Sequence, residues 1–139
     1  MTQMSLHIDK SKRRAEIVYR DELNAETVIN AFMALTDHAD WRPEYKRLYV
    51  WGPEARMGDF RPDDRARFLK FKRSLCADKM RALCTRTAHI CPDPIKRSHL
   101  HFWIELAANP AGQIRVFADR EQAEAWLEAE TEDELQLTA

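Results

Sequence analysis

A chain of 139 residues has the common size of one domain, and its 45% hydrophobic and 32% charged residues are typical of a globular protein. This composition excludes a disordered or fibrous chain. The net charge of −1 hides an uneven distribution, because residues 42–97 hold 15 Lys and Arg against 7 Asp and Glu, whereas residues 98–139 hold 2 against 9. We expect these opposite charges to meet within one fold, while a basic face for an acidic partner is the alternative.

Signals for export and for membrane insertion are missing. No apolar run approaches the roughly 20 residues that span a bilayer, and the N-terminus has no basic region followed by an apolar stretch. The three cysteines, Cys76, Cys84 and Cys91, form neither an even disulfide framework nor a closely spaced chelating pair. The sequence therefore predicts a cytoplasmic protein with reduced thiols and no membrane span.

The first half of the chain predicts a hairpin, a helix and a buried strand. Residues 5–9 and 15–20 alternate in polarity, as antiparallel strands do, around a polar loop. Asn24 is a suitable N-cap for a helix that ends near residues 37–40. Residues 48–51 are aliphatic and aromatic and precede Gly-Pro, which indicates a short strand followed by a loop of roughly ten residues.

The second half predicts three more helices and two more strands. Pro62 begins a helix, and residues 80–85 resemble a strand that extends toward Ile90. Asp93 and Pro94 begin the next helix, which ends at residues 109–112. The remaining elements are a strand over 114–117, a helix with an Asp119 and Gln122 capping box, and an acidic tail over 129–139 that we expect to be mobile.

This order predicts an α/β fold in one domain over residues 1–139, with a core over 5–128. Strands separated by helices are most simply parallel, so the opening hairpin makes the sheet mixed, with about five strands and four helices. The chain has only 3 glycines and contains no glycine-rich phosphate loop. This excludes Rossmann and P-loop nucleotide enzymes.

Three segments resemble the STAS domain, in its SpoIIAA-like bacterial branch. They are the hairpin with the Asn24 helix, residues 40–43 leading into the strand over 48–51, and the ending over 115–127, in which a strand closing on Phe precedes a capped helix with Ala-x-x-Trp-Leu. The resemblance covers roughly residues 5–128 and implies a small STAS-like sandwich of one mixed sheet and helices. It also implies a regulatory role like that of anti-sigma-factor antagonists.

The phosphorylation switch of anti-sigma antagonists lacks its hydroxyl residue in this sequence. In anti-sigma antagonists the matching strand leads to a phosphorylatable serine, but residues 37–73 contain neither Ser nor Thr. We therefore do not expect the phosphorylation switch here. Fold alone is in any case a weak guide to function.

The loop after Trp51 is the candidate contact site for a ligand or a partner. It lies at the carboxyl end of a strand, where open α/β sheets tend to bind ligands, and Trp51, Arg56 and Arg61 are the expected contacts. Trp51 itself either closes the core or lines a pocket. No catalytic residue set and no cofactor are expected.

Other chemistry is less favoured by the spacing of the residues. His89 with Cys91 and Cys84 matches no known metal-ligand pattern, and no oxyanion loop accompanies a cysteine nucleophile. The basic segment over 56–73 suggests nucleic acid, but its Phe68 and Phe71 fall on the buried side of a helix. The sequence therefore argues against a metal site, a cysteine nucleophile and a nucleic-acid partner.

The sequence favours a non-catalytic binding or regulatory module. Such a module would self-associate or meet a protein partner through an exposed sheet edge or through the loop after Trp51. The alternative function is a carrier of a small apolar or anionic ligand at that loop.

Overall fold

A computed structural model describes residues 4–59, 61–106 and 113–129. In chain order, the strands and helices are β1 Met4–Asp9, β2 Arg14–Tyr19, β3 Glu22–Leu23, α1 Ala25–Thr36, β4 Lys46–Trp51, β5 Arg56–Met57, α2 Asp64–Arg73, α3 Ala77–Leu83, β6 Thr87–Ile90, α4 Pro94–Leu106, β7 Ile114–Phe117 and α5 Arg120–Glu128. No helix within these ranges is long and apolar enough to cross a membrane.

The main sheet has five strands in the order β1-β2-β4-β6-β7. β1 runs antiparallel to β2, and every other neighbouring pair is parallel. The α/β class and the mixed sheet are thus confirmed, together with the opening hairpin. A second, two-stranded sheet pairs β3 with β5 and was not predicted, because strands of two residues leave no periodic signal.

The strand predicted over residues 80–85 is wrong. The structure has α3 there, so the described residues contain five helices rather than four. Ala77 to Leu83 are mostly strong helix formers with no β-branched residue, and Asp78 and Arg81 complement the two helix ends. The neighbouring strand is β6, whose four residues are all buried. The predicted end of α4 at 109–112 and the tail over 130–139 lie outside the described residues.

Helix starts were predicted more accurately than capping partners. Asn24 caps α1 in a capping box with Thr27, whose side chain accepts from the Asn24 N–H while Asn24 Oδ1 accepts from the Thr27 N–H. At α5 the structure shows one of the two hydrogen bonds of the predicted capping box. The backbone N–H of Gln122 donates to the Asp119 carboxylate at 2.8 Å. Both caps satisfy N–H groups that have no partner inside the helix.

The sheet separates two layers of helices of unequal size. Successive strand residues face opposite sides of the sheet. Helices α1 to α4 cover one side, where the larger core cluster lies, which includes Ile17 and Tyr49. We call it the four-helix face. The strands β2, β4, β6 and β7 follow one another in a single direction across the sheet, and right-handed crossovers made in one direction place their helices on one side.

Among the described helices only α5 covers the other side, which we call the α5 face. Its Ala123 and Leu127 pack with Leu48, Ala88 and Ile90. Two cations of the basic middle segment also hold the end of α5. Lys46 donates to the carbonyl of Leu127, and Arg86 donates to the carbonyls of Trp126 and Ala129. These cations contact the carbonyl groups of a helix C-terminus, which attract cations, and not acidic side chains. The expected meeting of opposite charges therefore stays a prediction.

Candidate functional site

A cavity of about 100 Å³ lies between the four-helix face of the sheet and helices α1, α2 and α4. Its helix walls are apolar and include Phe32, Phe68 and Trp103. The sheet forms a more polar floor, which β2, β4 and β6 supply. The floor residues are Tyr19, Arg47, Tyr49, Trp51, Thr87 and His89.

Aromatic rings in the floor stack across neighbouring strands. Tyr49 and His89 are register partners on β4 and β6, and their rings stack with centroids 4.7 Å apart. Tyr49 also stacks on Tyr19 at 5.4 Å, and Tyr19 meets Trp51 edge to face at 4.9 Å. Such ring pairs stabilise a fold by more than the burial of their apolar area alone, and they favour particular ring orientations. The floor is therefore a set of rings that pack against one another.

His89 is a neutral hydrogen-bond acceptor. Its Nδ1 accepts from the indole Nε1–H of Trp51 at 3.0 Å. Burial, followed by the positive charges of Arg47 and His101, lowers the pKa of His89 to about 3. At neutral pH the ring is uncharged, and its single proton lies on Nε2 because Nδ1 is the acceptor.

Arg47 is a cation placed inside the core. It is 5% exposed, and its Nη1 donates to the Tyr49 hydroxyl at 3.2 Å. The guanidinium carbon lies over the Phe32 ring at 5.3 Å and over the Tyr49 ring at 5.8 Å. The buried Nε–H has no hydrogen-bond partner among the described residues, and none of the ion pairs found there includes Arg47. A buried cation without a carboxylate is costly, because water no longer solvates it.

The charged residues of the cavity lining have one sign. They are Arg47 and Lys72, and the described lining contains neither Asp nor Glu. Burial lowers the pKa of Lys72, with a further contribution from Arg65. Burial also raises the pKa of Tyr19 well above its usual value, so this hydroxyl keeps its proton. The polar side of the cavity thus offers positive charge and hydrogen-bond donors, with no anionic side chain.

The three residues predicted as contacts occupy different places. Trp51 is in the cavity floor, buried and bonded to His89. Arg56 is exposed and forms an ion pair with Glu22 at 2.8 Å. Arg61 is exposed, and its backbone N–H donates to Asp64 at 2.8 Å before α2. The structure does not bring Arg56 and Arg61 to the cavity, and their role as contacts stays a prediction.

The cysteines and histidines show no arrangement for metal or covalent chemistry in the described part of the chain. Cys76 and Cys84 are exposed, and burial raises the pKa of Cys91, the opposite of what a thiolate nucleophile requires. Within the described ranges no group of three or more His, Cys, Asp and Glu could hold a metal ion. Phe68 is buried in the core, so its ring is not available for stacking on a base.

The sequence reasoning missed Arg47 because it treated this residue as the polar boundary of a strand. A signal was present in the alternation Arg47-x-Tyr49-x-Trp51, because side chains two residues apart on a strand share one face. Thr87-x-His89 repeats the pattern on β6. Polar and aromatic residues alternating within buried strands could have indicated a polar floor under the helices.

Comparison of the chain with protein-family models, with curated proteins and with solved structures gives no match. The function must therefore be argued from the site itself.

Proposed function

We propose that this protein is a non-catalytic binding module that holds one small, largely apolar ligand in the cavity over the sheet. The observation that carries the proposal is a space of about 100 Å³ with mostly apolar walls and a floor of aromatic and polar groups that contact one another. Ligand sites are commonly apolar cavities with a few fixed polar groups. Apolar cavities of roughly 150 Å³ hold a molecule such as benzene. The space here is smaller but partly open, so the fitting ligand is about the size of one aromatic ring with its substituents toward the opening.

The location of the cavity favours the carrier over the protein-docking module. An open α/β sheet forms a crevice where its strand order reverses, but the parallel strands here follow one direction. The partly open cavity lies instead under the crossover helices. We include in the proposal a STAS-like fold, which the hairpin-first mixed sheet supports, and a cytoplasmic location, which the free thiols support.

Docking of a protein partner, or of a second copy, is the second candidate. It is favoured by β1, a strand of six residues at the edge of the main sheet, because an edge strand presents backbone groups for another strand to pair with. Gel filtration with light scattering tests self-association. A strictly monomeric species at high concentration would contradict it.

A cavity-filling variant with a matched control tests the carrier. Val28 lines the cavity from α1, and Val18 is half-buried on the opposite face of the sheet. We expect para-fluorobenzamide to bind saturably in fluorine NMR titrations, with a dissociation constant at least about tenfold weaker for Val28→Phe than for Val18→Phe. Absence of saturable binding to the folded wild type, or equal effects of the two variants, would refute the proposal.

A further inference from the structure

We propose that the ligand is a small carboxylate with an aromatic or short aliphatic body, and that Arg47 binds its carboxylate. This inference rests on the proposed function. It names the chemical class of the ligand and the residue that selects it.

The charge inside the cavity is the first reason. Arg47 is a buried cation, and the ion pairs of the described residues do not include it. Buried charges in proteins are normally paired, because desolvation disfavours an isolated ion. The charged side chains of the cavity lining described above are all cationic, and Arg47 is one of them. An anion that enters the cavity thus meets an opposite charge and no repulsion from an acidic side chain.

The surroundings of the guanidinium are the second reason. The ring faces of Phe32 and Tyr49 stabilise the positive charge of Arg47. They do not use the N–H groups in the plane of the guanidinium, so these can still donate to an acceptor. Nη1 is used by the Tyr49 hydroxyl, while the Nε–H has no partner among the described residues. A guanidinium edge with an unpaired N–H matches a carboxylate through two parallel hydrogen bonds. Because Nε has almost no accessible surface, a small movement of the Arg47 side chain must bring this edge to the ligand.

The size of the cavity is the third reason. A space of about 100 Å³ suits a single ring or a short chain beside the carboxylate and is too small for a long acyl chain. The aromatic walls at Phe68 and Trp103 favour a flat, apolar body.

Two ligands of nearly equal shape separate the contribution of the ligand's charge to affinity from the contribution of its apolar body. Para-fluorobenzoate is an anion at neutral pH, and para-fluorobenzamide is neutral. In fluorine NMR titrations of the full chain we expect the benzoate to bind the wild type roughly 10–100-fold more tightly than the benzamide. Arg47→Met should abolish this preference and leave benzamide binding within about threefold of the wild type, because Met keeps the apolar stem.

Arg14→Met is the matched control, because Arg14 is also a buried arginine, 6% exposed, but lies on the α5 face. It should keep the preference for the benzoate. Arg47→Lys should keep part of it, since the charge remains and the planar fork is lost. If Arg47→Met does not fold, the affinities of Arg47→Lys and of the wild type for the two ligands still test whether Arg47 selects a carboxylate.

The outcomes separate this inference from the proposed function. Binding of both ligands with equal affinity to the wild type would overturn the carboxylate and leave the carrier standing. A preference that survives Arg47→Met would overturn the role of Arg47, and a preference unaffected by Val28→Phe would place the anion outside the cavity. Failure of both ligands to bind would overturn the carrier itself.

Discussion

Two buried arginines on neighbouring strands face opposite sides of the sheet, and their surroundings differ. Arg14 on the α5 face donates from Nη2 to the Glu124 carboxylate at 2.7 Å. Burial alone would raise the pKa of Glu124, but the hydrogen bond and the charge of Arg14 lower it. Arg47 on the four-helix face has two aromatic rings and one hydroxyl in place of a carboxylate. One arginine completes an ion pair within the chain, and the other is available to a ligand.

The two faces also differ in how many helices cover them. The four-helix face contains the larger cluster and the cavity, while the α5 face depends on nine residues of one helix. Within the described residues the α5 face has no second helix that could compensate for lost packing. We therefore expect the α5 face to be structural and the four-helix face to carry function.

The largest expected effect comes from the packing of α5. Leu127 is 1% exposed, and Leu127→Ala should lower the free energy of unfolding by about 3 kcal/mol, as should Leu35→Ala on the other face, where Leu35 is 0% exposed. Urea unfolding measures both. An equal loss with an unchanged dependence on urea shows that the two faces unfold together. A loss below about 1 kcal/mol for Leu127→Ala would show that α5 is not needed for the fold.

The two arginines should differ in how much stability the same substitution costs. Arg14→Met leaves Glu124 without its main partner and should cost about 2 kcal/mol, less than a fully buried pair because Glu124 is partly exposed. Arg47→Met removes a buried cation that lacks a carboxylate and should leave the stability of the ligand-free protein within about 1 kcal/mol of the wild type, or raise it. Unfolding curves at one pH make the comparison. A larger loss for Arg47→Met than for Arg14→Met would show that its aromatic neighbours stabilise it fully.

His89 should make the four-helix face sensitive to acid. The folded protein keeps this ring neutral down to a pKa of about 3, whereas the unfolded chain takes up a proton near the usual pKa of about 6.5. Because the unfolded state binds more protons between these values, stability is complete above about pH 6.5 and falls as the pH decreases toward about 3. From about pH 7 to about pH 5 this residue should account for a loss of nearly 2 kcal/mol.

His89→Gln removes that titration and is the direct comparison, because its side chain can still accept from Trp51. The variant should lose correspondingly less stability than the wild type over the same pH interval. His7→Gln, at an exposed position of β1 on the α5 face, serves as the control for the loss of a histidine that does not act on His89. If the wild type and His89→Gln show the same pH dependence, the imidazole is not held neutral in the folded state.

Local patterns predicted most of the elements of this fold. The hairpin, the Asn24 cap and the last strand and helix depend on nearest neighbours along the chain, so alternation and capping residues were sufficient. The region over 77–90 was harder, because a short helix and a four-residue strand follow each other with little periodic signal. The strand was predicted over residues 80–85, where α3 ends, and the structure has it at β6.

The sequence by itself determined an α/β chain with a mixed sheet and no glycine-rich phosphate loop, because those features depend on residue type and local order. It also gave Trp51 as a candidate contact. Only the tertiary structure decided that Arg47 is buried beside the cavity and that Arg56 and Arg61 are not, because that depends on which strands become neighbours and on which side the crossover helices lie. Two arginines on adjacent strands look alike in sequence, and only the fold gives a carboxylate to one of them.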